Sequence, residues 1–270
     1  MTGAVVHDSE QDLAARSGGR VSVVIPTLNE AANLPHVLER LPDFVDEVVL
    51  VDGGSSDGTV DVAQSLRPDI RIVQQTRRGK GNAIACGFEA CTGDIVVMLD
   101  ADGSTDAGEI PRFVEALMEG ADMAKGSRFT SGGGSADITP LRRAGNRFLC
   151  ALVNVLFGTR YSDLCYGFNA FRRASLGRLR LDCDGFEIES LINIRTAKAG
   201  LRVVEVPSYE LNRLHGESNL RPLRDGWRVL RTIVREWVSA SPLDAPDPIV
   251  QLIDAPSWEV APSPSQSAPG

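Results

Sequence analysis

Asp100-Ala-Asp102 sets two carboxylates either side of one small residue, directly after the apolar run Ile95-Val-Val-Met-Leu99. Hard divalent cations such as Mg²⁺ or Mn²⁺ take oxygen ligands, often one or two carboxylates completed by substrate phosphates. A solitary Asp-x-Asp is weak evidence, because a solvated loop reads the same way. Its place at the end of a strand-like run, with Gly103 permitting close approach, makes a cation and diphosphate site the better reading. Asp52 ends a second apolar run, Val48-Val-Leu-Val51, and leads into Gly53-Gly-Ser-Ser56. Such a carboxylate either accepts hydrogen bonds from a base or ribose, or only punctuates the turn before Asp57 caps the next helix. Gly79-Lys80-Gly81 misses the GxxxxGK[ST] spacing of a phosphate loop. Lys80 is either an exposed lysine or a phosphate contact at a helix N-terminus.

These residues need elements to hold them. Val21-Ser-Val-Val-Ile-Pro26 reads as a buried strand, and Leu34, Val37, Leu38 and Leu41 then recur at helical spacing. Val48–Val51 is a second strand, Thr59 to Leu66 a short helix, and Ile70–Val73 a third strand. A helix from Gly79 to about Ala90 precedes the fourth strand, Ile95–Leu99, and Ile110, Phe113, Val114 and Leu117 mark a further amphipathic helix. Strands apolar on both faces, alternating with helices, predict an α/β fold whose mostly parallel sheet is covered on both sides. Ligands of such sheets bind beyond the carboxyl ends of the strands. Pro26, Asp52 and Asp100 all fall there.

The chain has 270 residues, 43 % of them apolar, which excludes a wholly disordered polypeptide. Its net charge is −8, which argues against a general nucleic-acid coat and leaves nucleic acid out of the expected partners. No run of 18 uncharged apolar residues predicts a membrane-spanning helix, and the first 20 residues lack a secretory pattern. The five cysteines form neither a CxxC pair nor a disulfide framework, which predicts reduced thiols and a cytoplasmic protein. Residues 241–270 hold seven of the fifteen prolines, four acids and no Lys or Arg. Residues 1–20 and 241–270 are expected to be disordered tails around one domain over 21–240.

Val-Ile-Pro-Thr-Leu-Asn-Glu (24–30), Val-Asp-Gly-Gly-Ser-Ser-Asp-Gly-Thr (51–59), Gly-Lys-Gly-Asn-Ala (79–83) and Leu-Asp-Ala-Asp-Gly (99–103) stand in an order and spacing that resembles family 2 glycosyltransferases of the GT-A fold. Gly126-Ser-Arg-Phe129, Asp163 to Phe168, Phe186-Glu-Ile-Glu189 and Arg213 to Ser218 extend the likeness to the dolichyl- or polyprenyl-phosphate sugar synthase branch, over about residues 20–235. The resemblance implies a three-layer α/β/α domain and an inverting, Mg²⁺- or Mn²⁺-dependent hexose transfer from a nucleotide-diphosphate sugar of the UDP-glucose or GDP-mannose type. It implies that Pro26, Glu30 and Asp52 bind the nucleotide, and that Asp100 and Asp102 hold metal and diphosphate, with Ser104 an added ligand. Gly53 stands where many members carry a second Asp, which bears on base recognition.

The second half is expected to bind the acceptor. Guanidinium groups grip phosphate oxygens in a fork. By the same resemblance Arg128, Arg142 and Arg213, with Asn146 one helical turn past Arg142, hold the phosphate of a polyprenyl-phosphate acceptor, and Asp102, Arg128 and Arg213 are the catalytic set. His215, in Arg-Leu-His-Gly-Glu-Ser, is read as a diphosphate clamp beside Lys80. A phosphate acceptor is ionised at neutral pH and needs no strong base. An alcohol or saccharide acceptor would need one, from Asp163, Glu187 or Glu189. Leu223, Trp227, Leu230, Val234 and Trp237 recur at steps of three and four, with arginines on an adjoining face. That stripe closes the core or lies at a membrane interface as a peripheral contact on the inner face, and both hold if the arginines alone meet lipid head groups. A nucleotidyltransferase would want a Gly-rich basic first loop, which Thr27-Leu-Asn-Glu-Ala31 is not. A silent nucleotide-sugar-binding protein would not need Asp100-Ala-Asp102.

Overall fold

The computed structural model describes residues 19–239. The expected tails lie outside these residues, except for Gly19 and Arg20, whose backbone N–H reaches Asp94. Seven strands make one sheet: β1 (Val21–Thr27), β2 (Glu47–Asp52), β3 (Arg71–Gln74), β4 (Ile95–Met98), β5 (Met123–Ser127), β7 (Asn169–Arg172) and β8 (Val203–Pro207). Their spatial order is β3-β2-β1-β4-β7-β5-β8. β7 is antiparallel to both neighbours, and the other pairings are parallel. A two-stranded ribbon pairs β6 (Gly134–Ser135) with β9 (Tyr209–Glu210). The helices are α1 (Leu34–Leu38), α2 (Thr59–Leu66), α3 (Lys80–Ala90), α4 (Ile110–Met118), α5 (Pro140–Phe157), α6 (Arg173–Leu176), α7 (Ile188–Lys198) and α8 (Pro222–Val238).

Alternation along the strands builds both faces of the core. Val21, Val23 and Ile25 join Val48, Leu50 and Val97 under α1 and α4. Val24, Val49, Val51 and Val96 face the other way, against Ala83 and Cys86 of α3. Each fully buried aliphatic side chain stabilises the fold by about 1.5–3 kcal/mol before entropy is counted. Phe113 of α4 stacks on Phe168, centroids 4.1 Å apart, and so fixes the segment leading into β7.

The topology sends β1, β2, β4, β5 and β8 in one direction, so their carboxyl ends share an edge of the sheet. Because β7 runs the other way, its entry, Tyr166-Gly-Phe168, meets the same edge. Thr27, Asp52, Asp100, Arg128 and Glu210 all issue there.

α5 and α8 pack beside each other and on α7 through Leu149, Val153, Ile194, Val229 and Ile233. Of the α8 stripe only Leu230 packs on that core. Val229 and Ile233 face inward, whereas Leu223, Trp227, Val234 and Trp237 are exposed. The inner face also carries Asp225 and Glu236, both buried; Glu236 is paired with cations and Asp225 is held by a backbone donor. Glu236 accepts from Arg195 Nη2 at 2.8 Å and Lys198 Nζ at 3.2 Å, and Asp225 accepts from the Arg221 backbone N–H at 2.7 Å. On α5, Leu149 and Val153 are core, but Phe148 is 62 % exposed.

Candidate active site

A cleft of about 820 Å³ opens at the carboxyl edge of the sheet. Its lining includes Pro26, Thr27, Glu30, Gly53, Lys80, Asp100, Asp102 and Ser104. The loops after β1 and β2 are laced together. Asn29, in the left-handed region at φ 57°, accepts from Ser56 N at 2.9 Å and donates its own N–H to Ser55 Oγ. Asp57 accepts from Ala31 N and Thr59 N, both at 3.0 Å, and Thr59 Oγ1 accepts from Glu30 N at 2.9 Å. Glu30 is thereby held at the cleft wall. Its carboxyl is pushed up by burial, against hydrogen bonds from Asn33 and Arg213.

Asp52 turns back on its own loop. It accepts from Gly54 N at 3.0 Å, Ser55 N at 3.1 Å and Gln74 Nε2 at 3.2 Å. Burial raises this carboxyl, but those hydrogen bonds outweigh it and hold it below the usual range. Asp52 thus shapes the turn that brings Gly53 to the cleft.

Lys80, first residue of α3, reaches Asp100 and Glu189, each at 2.7 Å. Burial would lower the ammonium, but the two carboxylates overrule it and raise it. A Cβ on Gly167 would stand 2.5 Å from Asp100 Oδ2 and 3.0 Å from Lys80 Nζ, so any larger residue here must displace this pair. Asp102 accepts from Ser104 N at 3.0 Å and from Arg213 Nη1 at 3.2 Å. Arg213 also donates to Glu30 Oε1, so one guanidinium bridges the loop after β1 and the loop after β4. His215 brings its main chain rather than its ring. Its carbonyl accepts from Asn33 Nδ2 at 3.1 Å and Arg213 Nε at 2.8 Å, and its ring lies 6.1 Å from that of His36.

Arg128 is enclosed by carboxylates. It grips Asp163 at 2.7 and 3.0 Å and Glu210 at 3.1 Å, with side-chain exposures of 2 %, 0 % and 8 %. Arg142 donates to Asp137 at 2.6 Å. Asn146 accepts from Leu164 N and Cys165 N, both at 3.1 Å, and its buried Nδ2 has no hydrogen-bond partner in the structure. Arg128, Arg142, Asn146 and Arg213 all line the cleft.

Glu210, Asn33, Gly167 and the Lys80–Glu189 pair were not singled out from sequence as donor- or acceptor-site groups. Lys80 and Glu189 were each named from sequence, as a phosphate contact and as a candidate base, but nothing in the sequence pairs them. The three candidate bases each carry a cation: Asp163 has Arg128, Glu187 has Arg228 at 3.2 Å, and Glu189 has Lys80.

A divalent cation suits this donor set. Among the described residues no three His, Cys, Asp or Glu side chains converge to enclose a metal. Asp100 and Asp102 are a two-carboxylate set, which Mg²⁺-type ions complete with substrate phosphates and water. The cleft is lined by seven carboxylates against four cations, a net charge of −3, so an anionic diphosphate needs a counter-charge to enter.

Strand ends, an Asp-x-Asp and laced Gly-Ser loops on a mostly parallel sheet define a transferase of the nucleotide-sugar class. The chain belongs to glycosyl transferase family 2, whose model matches residues 22–180. It is 33 % identical over 229 residues to the glycosyltransferase AglJ of Haloferax volcanii, covering 83 % of this chain and 74 % of that one. It is 34 % identical to an undecaprenyl-phosphate mannosyltransferase of Micrococcus luteus, covering 74 % and 87 %. In three dimensions it is similar to glucosyl-3-phosphoglycerate synthase of Mycobacterium tuberculosis, solved with Mn²⁺, UDP-glucose and glycerol 3-phosphate. That likeness has a TM-score of 0.66 and 26 % identity, and covers 84 % of this chain and 83 % of that one. The protein is therefore a glycosyltransferase with a GT-A fold.

Proposed function

We propose that the enzyme moves a hexose from a nucleoside-diphosphate sugar to a polyprenyl phosphate at a membrane surface. The observation that carries this reading is the extent of the cleft. Its lining includes, besides Asp100 and Asp102, the apolar residues Ile138, Leu141 and Leu149 at α5 and Leu220, Leu223 and Val229 at α8. A soluble phosphorylated acceptor has no use for that apolar lining, whereas an isoprenoid chain buries against it at about 25 cal/mol per Å². The ion-paired state of Asp163, Glu187 and Glu189 points the same way. A carboxylate held by a cation is a poor base, and a phosphate nucleophile needs none.

Asp100 and Asp102, with Ser104 beside them, are the residues to hold a divalent cation, which supplies Lewis-acid stabilisation of the departing diphosphate. Glu30 and the Gly53 turn receive the nucleoside. Arg142, Asn146 Nδ2 and Arg213 meet the acceptor phosphate. Its oxygen forms the new bond to the anomeric carbon as the bond to the diphosphate oxygen breaks. The electron pair leaves with the nucleoside diphosphate, and the configuration inverts.

The test incubates the enzyme with UDP-glucose or GDP-mannose, Mg²⁺ or Mn²⁺, and polyprenyl phosphate in detergent. Glycerol 3-phosphate and 3-phosphoglycerate serve as rival acceptors. A lipid-extractable sugar, lost in Asp102→Asn, supports the reading and selects the donor. A water-soluble product with no lipid product overturns the acceptor and leaves the family intact.

A further inference from the structure

α8 has two apolar faces. Val229 and Ile233 point into the core, while Leu223, Trp227, Val234, Trp237 and Val238 point out. At about 100° per residue the outward five fall within one stripe, roughly opposite the buried face. Trp227 is 68 % exposed and Trp237 57 %. Large aromatics left this open on a folded domain mark an interaction surface.

Charge identifies the partner. The arginines along one flank of the stripe are 224, 228, 231 and 235. Arg228 is committed to Glu187, and Arg235 to Asp182 and Glu236. Arg224 and Arg231 are exposed and make no ion pair among the described residues. A tryptophan-bearing apolar stripe edged by free arginines is complementary to an anionic lipid surface. The stripe also begins at the cleft, because Leu223 belongs to both. Leu141, another cleft residue, begins a second exposed row on α5 that continues with Phe148 and Val155, at steps of seven. Both helices therefore start at the apolar mouth of the cleft.

We propose that the outward face of α8 is a docking surface for an anionic membrane, with Trp227 and Trp237 inserted at headgroup depth and Arg224 and Arg231 on lipid phosphates. This rests on the polyprenyl-phosphate reading for its purpose: docked in this way, the cleft opens onto the layer that holds the lipid acceptor. No helix among the described residues is long and apolar enough to cross a membrane, so the face acts by lying on the surface.

The test is co-sedimentation of the full chain with vesicles of phosphatidylcholine alone or with phosphatidylglycerol added. The expected result is binding to the anionic vesicles that weakens with salt. Arg224→Gln with Arg231→Gln should lower the partition coefficient about 30-fold, taking each basic residue near an anionic surface at about a factor of five. Trp227→Ser with Trp237→Ser should abolish it. Neither pair lines the cleft, so both variants should retain wild-type turnover with detergent-dispersed acceptor, and unchanged melting reports an intact fold. Binding that ignores both variants overturns the proposal. So does a dimer that the Trp variant dissociates without any vesicle binding, because the face then belongs to a second copy. Vesicle binding that appears only once residues 241–270 are removed also overturns it, in favour of cover by the acidic tail. Lipid-extractable product without vesicle binding sinks only the docking face; vesicle binding without lipid product sinks only the acceptor reading.

Discussion

Arg128 is the place to separate positioning from phosphate binding. Replacing it by alanine removes four hydrogen bonds to side chains, two onto Glu210 and two onto Asp163. It also strips the Cys165 carbonyl of a donor at 3.1 Å. Asp163 is then a carboxylate with no side-chain exposure and no cation at bonding distance. Breaking a buried pair in this way costs about 3–5 kcal/mol. For a domain of this size 1 kcal/mol moves Tm by about 2–4 °C, so Arg128→Ala should melt about 6–20 °C lower. Urea unfolding measures the free energy directly, and acceptor KM is measured well below the new Tm. The pH dependence adds a signature. Burial raises the Asp163 carboxyl, but Arg128 outweighs it and holds it below the usual range. A depressed carboxyl stabilises the fold above its unfolded value, near 3.9, and that contribution is lost as pH falls through the folded value. The gap between wild type and variant should therefore be full at neutral pH and close in strong acid. A loss under about 1 kcal/mol, with a large rise in acceptor KM, would refute this and make Arg128 a phosphate ligand first.

Asp102→Asn should keep the fold and lower turnover by at least about 100-fold, since a ligand of the diphosphate counter-ion is lost; radiolabelled transfer measures it. Chelation with EDTA should abolish transfer, and added Mn²⁺ or Mg²⁺ should restore it, whereas unrestored activity would point to irreversible damage. Gly167→Ala should drive a methyl into the Lys80–Asp100 pair and cost about 10–100-fold in turnover, with a much smaller change in Tm. Glu236→Gln should melt lower at neutral pH and match wild type in strong acid. Burial raises this carboxyl, but Arg195 and Lys198 hold it below its usual range.

The central strands and the polar residues at their ends were legible for one reason. β1, β2 and β4 are buried on both faces, so they read as short unbroken apolar runs, and the first polar residue after each marks the sheet edge. Asp52 and Asp100 stand at those marks. β7 left no such mark. Asn169-Ala-Phe-Arg172 is four residues without alternation, and its place depends on open hydrogen-bonding edges of β4 and β5. α8 misled in another way. Its most apolar stripe faces solvent because the inner face buries Asp225 and Glu236 through partners on the preceding turn and on α7, which no periodicity reveals. The cation partners of the site carboxylates were equally invisible. Lys80 and Glu189 are far apart in the chain and meet only because α3 and α7 converge on the cleft.

Those partners set the order of events at the site. Asp100 is held by Lys80 and Asp102 by Arg213, so neither carboxylate is free to receive a cation at full charge. A divalent ion arriving alone would have to displace an ammonium and a guanidinium from these carboxylates. One arriving with a nucleoside diphosphate would bring phosphate oxygens to which Lys80 can transfer, leaving Arg213 to turn to the acceptor phosphate. The exchange then conserves the number of charge pairs, and it releases Arg213 from Glu30 at the moment the nucleoside needs that wall. Arg213 belongs to the 211–221 segment that leads directly into α8. Donor binding, the acceptor side of the cleft and the outward-facing helix are therefore joined through one guanidinium. Measured donor affinity should rise steeply with Mn²⁺ or Mg²⁺ in wild type. In Arg213→Ala that dependence should flatten, because Asp102 is then free before the donor arrives. Equal metal dependence in the two proteins would show that Arg213 does not guard the site.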